Sequence, residues 1–203
     1  MRLIVLDTCL AACQAAVIAD GAVLACLSDP MARGHQERLA PMVREVMEGA
    51  RLSFGDLDRI AVTVGPGSFT GLRVGLAFAK GLALALDRPC VGVGTLAALA
   101  ASLAGGGARA AVIDAGRGSI YLQRFDGRAE MGPPEILPLE TADLAHAGAL
   151  IGPSASRFAG PGQVAVDRVA PSLDAIAELA VKAPTTPASP LYLRAPDAKV
   201  KAR

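Results

Sequence analysis

The first half of the chain alternates short, almost continuous apolar runs with longer segments that are apolar at helical spacing. Such runs are typical of strands buried on both faces, and the longer segments predict helices that pack on them. This alternation predicts an α/β layer architecture. The predicted order is a hairpin ending at Ser28, a helix over His35–Arg51, a strand over Ile60–Val64, a helix over Phe69–Leu86, a strand over Cys90–Val93 and a helix over Leu96–Leu103.

A strand, bend and hairpin pattern occurs twice along the chain. An apolar strand ends in Asp7, a second strand follows, and Asp20-Gly21 forms a hairpin turn; the same order returns at Asp114 and Asp126-Gly127. Asp-Gly suits the positive φ angles of a type I′ turn. The repeat predicts two related lobes. The first covers residues 1–104, a glycine linker covers 105–107, and a reduced, proline-rich second lobe covers 108–203.

A glycine-rich junction over residues 65–75 joins the Ile60–Val64 strand to the long apolar helix. Gly65 and Gly67 permit backbone angles that other residues avoid, and Ser68 or Thr70 is suited to cap the helix. The amide groups at such a helix start bind phosphate in other proteins, so Gly65, Gly67 and Ser68 are candidate phosphate-binding residues. The alternative is a tight structural turn, since the lysine of a P-loop is missing and the spacing is not G-x-G-x-x-G.

The junction as a whole resembles the signature of the bacterial TsaB (YeaZ) family of the actin-like ATPase superfamily. The resemblance spans nearly the whole chain and implies an actin-like (ribonuclease H-like) α/β fold with two related lobes, the second reduced. Other matching segments are Leu6-Asp7-Thr8, His35-Gln36-Glu37, Ile113-Asp114-Ala115 with Arg117 and Tyr121, and Pro190-Leu191-Tyr192-Leu193-Arg194.

The resemblance also implies a function. It implies a cytoplasmic, non-catalytic scaffold that supports threonylcarbamoyl transfer to the adenosine next to the anticodon of tRNAs. Its partners would be the catalytic paralogue TsaD and the ATPase TsaE, with a homodimer when alone and an indirect contact with tRNA. No tightly bound cofactor is expected, and an ATP or ADP at the shared interface stays open.

The Phe69–Leu86 helix is apolar around most of its circumference, so most of its faces must be covered. Burial within one chain and contact with a partner are both open. Small residues at 71, 75, 79 and 83 would let another helix approach closely. The resemblance implies that this helix and the His35 helix form the pairing surface, for which we predict an apolar centre of Leu39, Met42, Val43, Val46, Leu76 and the aliphatic stem of Lys80.

Two carboxylates, Asp7 and Asp114, are the candidates for holding a magnesium ion or a nucleotide phosphate together with the junction. The competing interpretation is that each ends its strand by accepting backbone hydrogen bonds, and it is favoured because the chain has no matching adenosine-binding motif and no lysine in the glycine-rich junction. Cys9, which replaces the serine that is usual in the family, weakens a phosphate role further. An ATP-dependent phosphotransferase or ATPase is therefore the alternative function. A peptidase would need a metal or a nucleophile with a base; His35 and His146 are the two histidines, and no metal site is expected.

Composition limits the remaining options. Twenty basic and nineteen acidic residues give a net charge of +1, so no overall field attracts nucleic acid. The basic residues Lys199, Lys201 and Arg203 are typical of a solvated tail. No membrane span is expected, because the longest apolar run contains Arg73 and Lys80. Buried, reduced thiols are predicted at Cys9, Cys13, Cys26 and Cys90.

Overall fold

The computed structural model describes residues 1–194 and contains two β-sheets with helices on and between them. The basic tail residues Lys199, Lys201 and Arg203 lie outside the described residues. The strands and helices, in chain order, are β1 (Arg2–Asp7), β2 (Ala12–Ala19), β3 (Ala22–Pro30), α1 (His35–Ala50), β4 (Arg59–Thr63), α2 (Phe69–Leu86), β5 (Cys90–Val93), α3 (Thr95–Ala101), β6 (Ala108–Gly116), β7 (Ser119–Asp126), β8 (Ala129–Glu130), β9 (Glu135–Pro138), β10 (Ala149–Gly152), β11 (Val164–Asp167) and α4 (Leu173–Lys182).

The two sheets repeat one topology. The first has the order β3-β2-β1-β4-β5, in which β1, β2 and β3 are antiparallel neighbours and β1, β4 and β5 are parallel. The second has the order β11-β10-β6-β7-β8, with β9 also paired to β7; β6 and β7 are antiparallel, and β6, β10 and β11 are parallel. This confirms the predicted pair of related lobes.

The second lobe is reduced as predicted. Where the first lobe has α1 and α2 between its strands, the second has the short 3-10 turns Leu139–Thr141 and Ala155–Arg157. Ala155 of the second turn packs on the apolar face that Val112, Leu122 and Leu150 form on the second sheet.

Two helices cross between the lobes. Helix α3 follows the first sheet in the chain but packs on β6, β7 and β10 of the second, whereas α4 follows the second sheet and packs on β1, β4 and β5 of the first. Buried Arg109 of β6 holds the end of α3 and the following linker against the second sheet, because its guanidinium donates to the carbonyls of Ala100, Leu103 and Gly105. The domain boundary at 105–107 stays a prediction.

Strand β1 lies at the centre of the first sheet and is buried on both faces beyond Arg2. Ile4 and Leu6 point into the core beneath α1 and α2, while Leu3 and Val5 point into the core beneath α4. Its continuous apolar sequence follows from this position between two layers of helices.

One of the two predicted Asp-Gly hairpin turns is present in the structure. Asp20 and Gly21 both have positive φ, of 50° and 83°, as a type I′ turn requires. In the second hairpin Asp126 pairs with Ala129, so the turn residues are Gly127 and Arg128, and the prediction of a type I′ turn on Asp126-Gly127 is wrong.

Candidate functional site

The glycine-rich junction between β4 and α2 packs backbone to backbone against the turn after β1. A Cβ atom at Gly67 would lie 2.2 Å from the carbonyl oxygen of Cys9, and the amide of Ser68 donates to that same oxygen at 2.7 Å. Gly65 has a φ of +97° and precedes Pro66 through a cis peptide bond. The glycines are therefore needed for a close approach between two segments of the chain.

The first two turns of α2 continue this contact. A Cβ at Gly71 would lie 2.0 Å from the Thr8 carbonyl oxygen, and one at Gly75 would lie 2.4 Å from Thr8 Oγ1. The Thr8 hydroxyl in turn donates to the Gly71 carbonyl at 2.7 Å. The small residues of α2 thus face the turn after β1 and the sheet, so the prediction that they receive another helix is wrong at these positions.

Ser68 caps α2, as the sequence predicts. Its side-chain oxygen accepts a hydrogen bond from the Gly71 amide at 3.3 Å, and its backbone lies in the extended region. The hydroxyl therefore satisfies one of the amides that a bound anion would otherwise take.

Asp7 is completely buried at the end of β1. Its carboxylate accepts hydrogen bonds from Thr63 Oγ1 at 2.6 Å, the Cys9 amide at 3.0 Å and Gln14 Nε2 at 2.9 Å. Burial raises the pKa of Asp7 above its ordinary value, against the lowering effect of these hydrogen bonds. The Asp7 carboxylate is used inside the core and has no exposed oxygen for a cation or a phosphate.

Asp114 is exposed at the corresponding position of the second lobe. It accepts the Gly116 amide at 2.7 Å and forms an ion pair with Arg157 at 3.2 Å. Like Asp7, Asp114 accepts a hydrogen bond from the amide two residues further along the chain. This arrangement is typical of a tight bend at the end of a strand.

The remaining chemically active side chains lie apart. Burial raises the pKa of the Cys9 thiol to about 12, so this thiol stays protonated. His35 is buried at the start of α1, and its Nε2 atom has no hydrogen-bond partner. His146 is exposed and paired with Asp143. Within residues 1–194, no group of three His, Cys, Asp or Glu side chains is arranged to hold a metal ion.

A C-terminal segment, residues 188–194, crosses the cleft between the lobes, and we call it the strap. The Leu191 amide donates to the Val64 carbonyl at 2.8 Å, and Arg194 Nη2 donates to the Gly116 carbonyl in the second lobe at 3.2 Å. Beneath it is a cleft of about 410 Å³, lined in part by Gly65, Pro66 and Gln123. The sequence showed residues 190–194 as a family motif but not their position over the junction.

Helix α2 has an outer face that is largely exposed in residues 1–194. Leu84 is 86% exposed and Phe69 is 55% exposed, although both belong to a long, apolar helix. Beside Phe69 a groove of about 510 Å³ runs between α1 and α2. The outer face consists of Phe69, Arg73, Ala77, Lys80, Gly81 and Leu84.

By length and mean hydropathy, α2 is the one helix within residues 1–194 that could cross a membrane. A buried core helix passes the same criteria, and α2 packs on β4 and β1 along its inner side. Its outer face also carries the two charged residues Arg73 and Lys80.

The predicted centre of the pairing surface lies mostly inside the protein. The four α1 residues of that prediction are at most 1% exposed, and Leu76 of α2 is 7% exposed. They pack between the two helices and the sheet, so they support the outer face from below and do not form it. Of the predicted set, Lys80 alone is exposed; the buried residues are Leu39, Met42, Val43, Val46 and Leu76.

Comparison with known proteins identifies relatives of this fold. A family model described as TsaD, tRNA N6-adenosine threonylcarbamoyltransferase, matches residues 29–194. An Escherichia coli protein named tRNA threonylcarbamoyladenosine biosynthesis protein TsaB is 38% identical over 128 residues, 62% of this chain and 55% of that protein. The match thus spans about half the length of that relative.

Two further relatives are covered over most of their length. An uncharacterised Mycobacterium tuberculosis protein is 40% identical over 172 residues, 83% of this chain and 79% of that protein. The crystal structure titled YeaZ from Pseudomonas aeruginosa superimposes with a TM-score of 0.84 at 29% identity, over 95% of this chain and 99% of that one. The chain therefore belongs to the TsaB (YeaZ) branch of the TsaD family.

Proposed function

We propose that this protein is an accessory subunit in threonylcarbamoyladenosine biosynthesis on tRNA, and that it acts by pairing with a TsaD-family paralogue through the outer face of α2. The names of its relatives, tRNA threonylcarbamoyladenosine biosynthesis proteins, support the pathway. The exposed outer face supports the pairing and is the observation that carries the proposal. We expect the protein to work in the cytoplasm, with its contact to tRNA made through the partner.

The outer face has the composition of a contact surface. Leu84 and Phe69 provide apolar area, Ala77 and Gly81 let a partner approach closely, and Arg73 is a residue type enriched at binding hot spots. The outer side of α1, by contrast, carries Arg44, Glu45 and Glu48, which suits the rim of an interface. A stable contact buries about 800 Å² on each partner, so α2 must be joined by neighbouring surface.

The family match indicates the kind of partner. Residues 29–194, which match the TsaD family model, include α1, α2 and the strap, so a TsaD-family paralogue is expected to carry equivalent elements. Two related chains can pair through equivalent surfaces about an approximate twofold axis, in which α2 lies against its counterpart. Two copies of this chain have the same option, which accounts for a homodimer in the absence of the paralogue.

A catalytic role has less support from the site. Asp7 is the candidate for magnesium, and it is 0% exposed with three hydrogen-bond donors on its oxygens. The glycine junction is closed by Cys9 and Thr8, and Ser68 caps the Gly71 amide in the first turn of α2. We therefore assign the transfer chemistry to the paralogue.

Co-purification tests the pairing. The tagged TsaD-family paralogue of the same organism should retain the wild-type chain, and Leu84→Glu should weaken retention at least tenfold, since it places a charge on an apolar side chain of the contact that is 86% exposed in the free chain. Val164→Glu is the matched control, because Val164 is 60% exposed on the far edge of the second sheet. Equal retention of all three proteins would contradict the proposed surface.

Calorimetry tests the alternative of an ATP-dependent phosphotransferase or ATPase. The isolated chain should bind ATP with magnesium weakly or not at all, because the Asp7 carboxylate is enclosed. Tight binding together with turnover by the purified chain would favour the alternative over the scaffold.

A further inference from the structure

The strap contacts three separate parts of the protein within seven residues. Ala188 is buried against Gly92 of β5, where an added Cβ would lie 3.5 Å from the Ala188 Cα. The Leu191 amide donates to the carbonyl of Val64, directly after β4, and the Arg194 guanidinium donates to the carbonyl of Gly116 in the second lobe. The strap therefore spans the mouth of the cleft from one lobe to the other.

The middle of the strap rests on the outer face of α2. The Tyr192 ring lies 5.8 Å from the Phe69 ring, and Arg73 Nε donates to the Tyr192 hydroxyl at 3.2 Å. The Arg73 guanidinium also lies 3.7 Å from the centre of the Phe69 ring. We call these three side chains the aromatic cluster. A ring contact, a hydrogen bond and a cation–π contact each stabilise a surface contact modestly, and here all three help to hold the strap on α2.

The aromatic cluster is itself exposed. Phe69 is 55% and Tyr192 is 46% exposed, although the chain has only five phenylalanines and two tyrosines. Exposed aromatic rings stacked with an arginine are typical of the centre of a protein interface. The aromatic cluster therefore holds the strap against α2 and also lies on the outer face that we propose as the partner-binding surface.

We propose that the strap is a clamp that closes the cleft between the lobes, and that the paralogue tightens it by binding over Tyr192 on the aromatic cluster. The proposal rests on the proposed function for the identity of the partner, and it adds Tyr192 and the strap to the pairing surface. Binding at α2 then favours the form in which Leu191 is bound to Val64 and Arg194 to Gly116. Because the two equilibria are linked, the factor by which the partner favours the docked strap equals the factor by which the docked strap increases affinity for the partner.

Hydrogen exchange of the strap measures the clamp in the free protein. The Leu191 amide donates to Val64, so its exchange rate reports how often the strap opens. Tyr192→Ala removes the contacts with Phe69 and Arg73 and should raise this rate about tenfold. Arg194→Ala should raise it as well, and Ser189→Ala, a change of an exposed strap residue, should leave it unchanged. A wild-type rate in Tyr192→Ala would overturn the clamp.

The partner arm uses the same amide in the complex. With the paralogue at ten times its dissociation constant, exchange at Leu191 should slow about tenfold in the wild-type chain, because opening then competes with binding. At matched occupancy, Tyr192→Ala should show no such slowing. Binding that leaves the wild-type strap unchanged, or slows both proteins equally, would overturn the coupling.

The two proposals fail in different ways. If the paralogue does not bind the wild-type chain at all, the proposed function and the coupling are both wrong. The free-chain measurements then still decide whether the strap is held by the aromatic cluster.

Discussion

Two glycines of α2 should respond in opposite ways to replacement by alanine. In an open helix, Gly→Ala stabilises a protein by about 1 kcal/mol. Gly81 is exposed, and an added Cβ would meet nothing within 4 Å, so Gly81→Ala should gain about that amount. At Gly71 the added Cβ would lie 2.0 Å from the Thr8 carbonyl oxygen, a distance that real Cβ atoms do not adopt.

The cost at Gly71 follows from what must move. Thr8 and α2 would have to separate by more than an ångström, at about 1–3 kcal/mol for overpacking. The buried bond from Thr8 Oγ1 to the Gly71 carbonyl would weaken, at about 0.5–1.5 kcal/mol. After the helical gain is subtracted, Gly71→Ala should lower the free energy of unfolding by about 0.5–3.5 kcal/mol.

Thermal and urea unfolding followed by circular dichroism would measure both variants at low protein concentration. A change of 1 kcal/mol moves the melting temperature of a protein of this size by about 2–4 °C. Gly81→Ala should therefore melt above the wild type and Gly71→Ala below it. Equal or higher stability of Gly71→Ala would refute the closed junction and leave room there for a bound anion.

Other measurements test the buried residues and the thiols. Because the pKa of Asp7 is raised on folding from its ordinary value of 3.8, the folded state binds more protons above that pH, and the contribution of Asp7 to stability falls as the pH rises through the raised pKa. The stability of the wild type relative to Asp7→Asn should therefore decline as the pH rises from 3.8, and a pH-independent difference would count against the assigned environment. Cys26, which the sequence predicted to be buried, is exposed and should react with a thiol reagent in the native protein at pH 8. Cys9, with a pKa of about 12, should react only after unfolding. Labelling of both at similar rates, read by mass spectrometry, would show that the junction opens.

Most of the first lobe could be predicted from the sequence. The α2 helix and the β5 strand have the predicted bounds, α1 ends one residue earlier than predicted, and β4 is shifted by one residue towards the N-terminus. Their apolar patterns are strong because the strands are buried between two layers of helices, and α1 and α2 pack on one face of that sheet. The repeated Asp-ended strands also predicted the second sheet, since the topology is the same in both lobes.

The outward faces could not be predicted, because periodicity does not show which neighbour covers which side. Met42 and Val46 were predicted at a contact surface, but the sheet covers them, and Leu84 is the exposed residue. The chain gives no local signal for α4 packing on the first sheet or for Arg109 binding three carbonyls across the linker. These contacts depend on long-range topology.

The candidate phosphate site shows a related limit. Glycines that permit an anion to approach also permit another backbone to approach, and the sequence does not distinguish the two. Here the Cys9 and Thr8 carbonyls occupy that space against Gly67 and Gly71. The sequence left both interpretations open at this junction.

Reconstituted threonylcarbamoylation of tRNA with the TsaD-family paralogue tests the central proposal most directly. The reaction should depend on this chain, should be lost with Leu84→Glu, and should persist with Val164→Glu and with Asp7→Asn, since the exposed face of α2 and not the buried carboxylate provides the function. Full activity with Leu84→Glu together with loss of activity in a folded Asp7→Asn protein would contradict it.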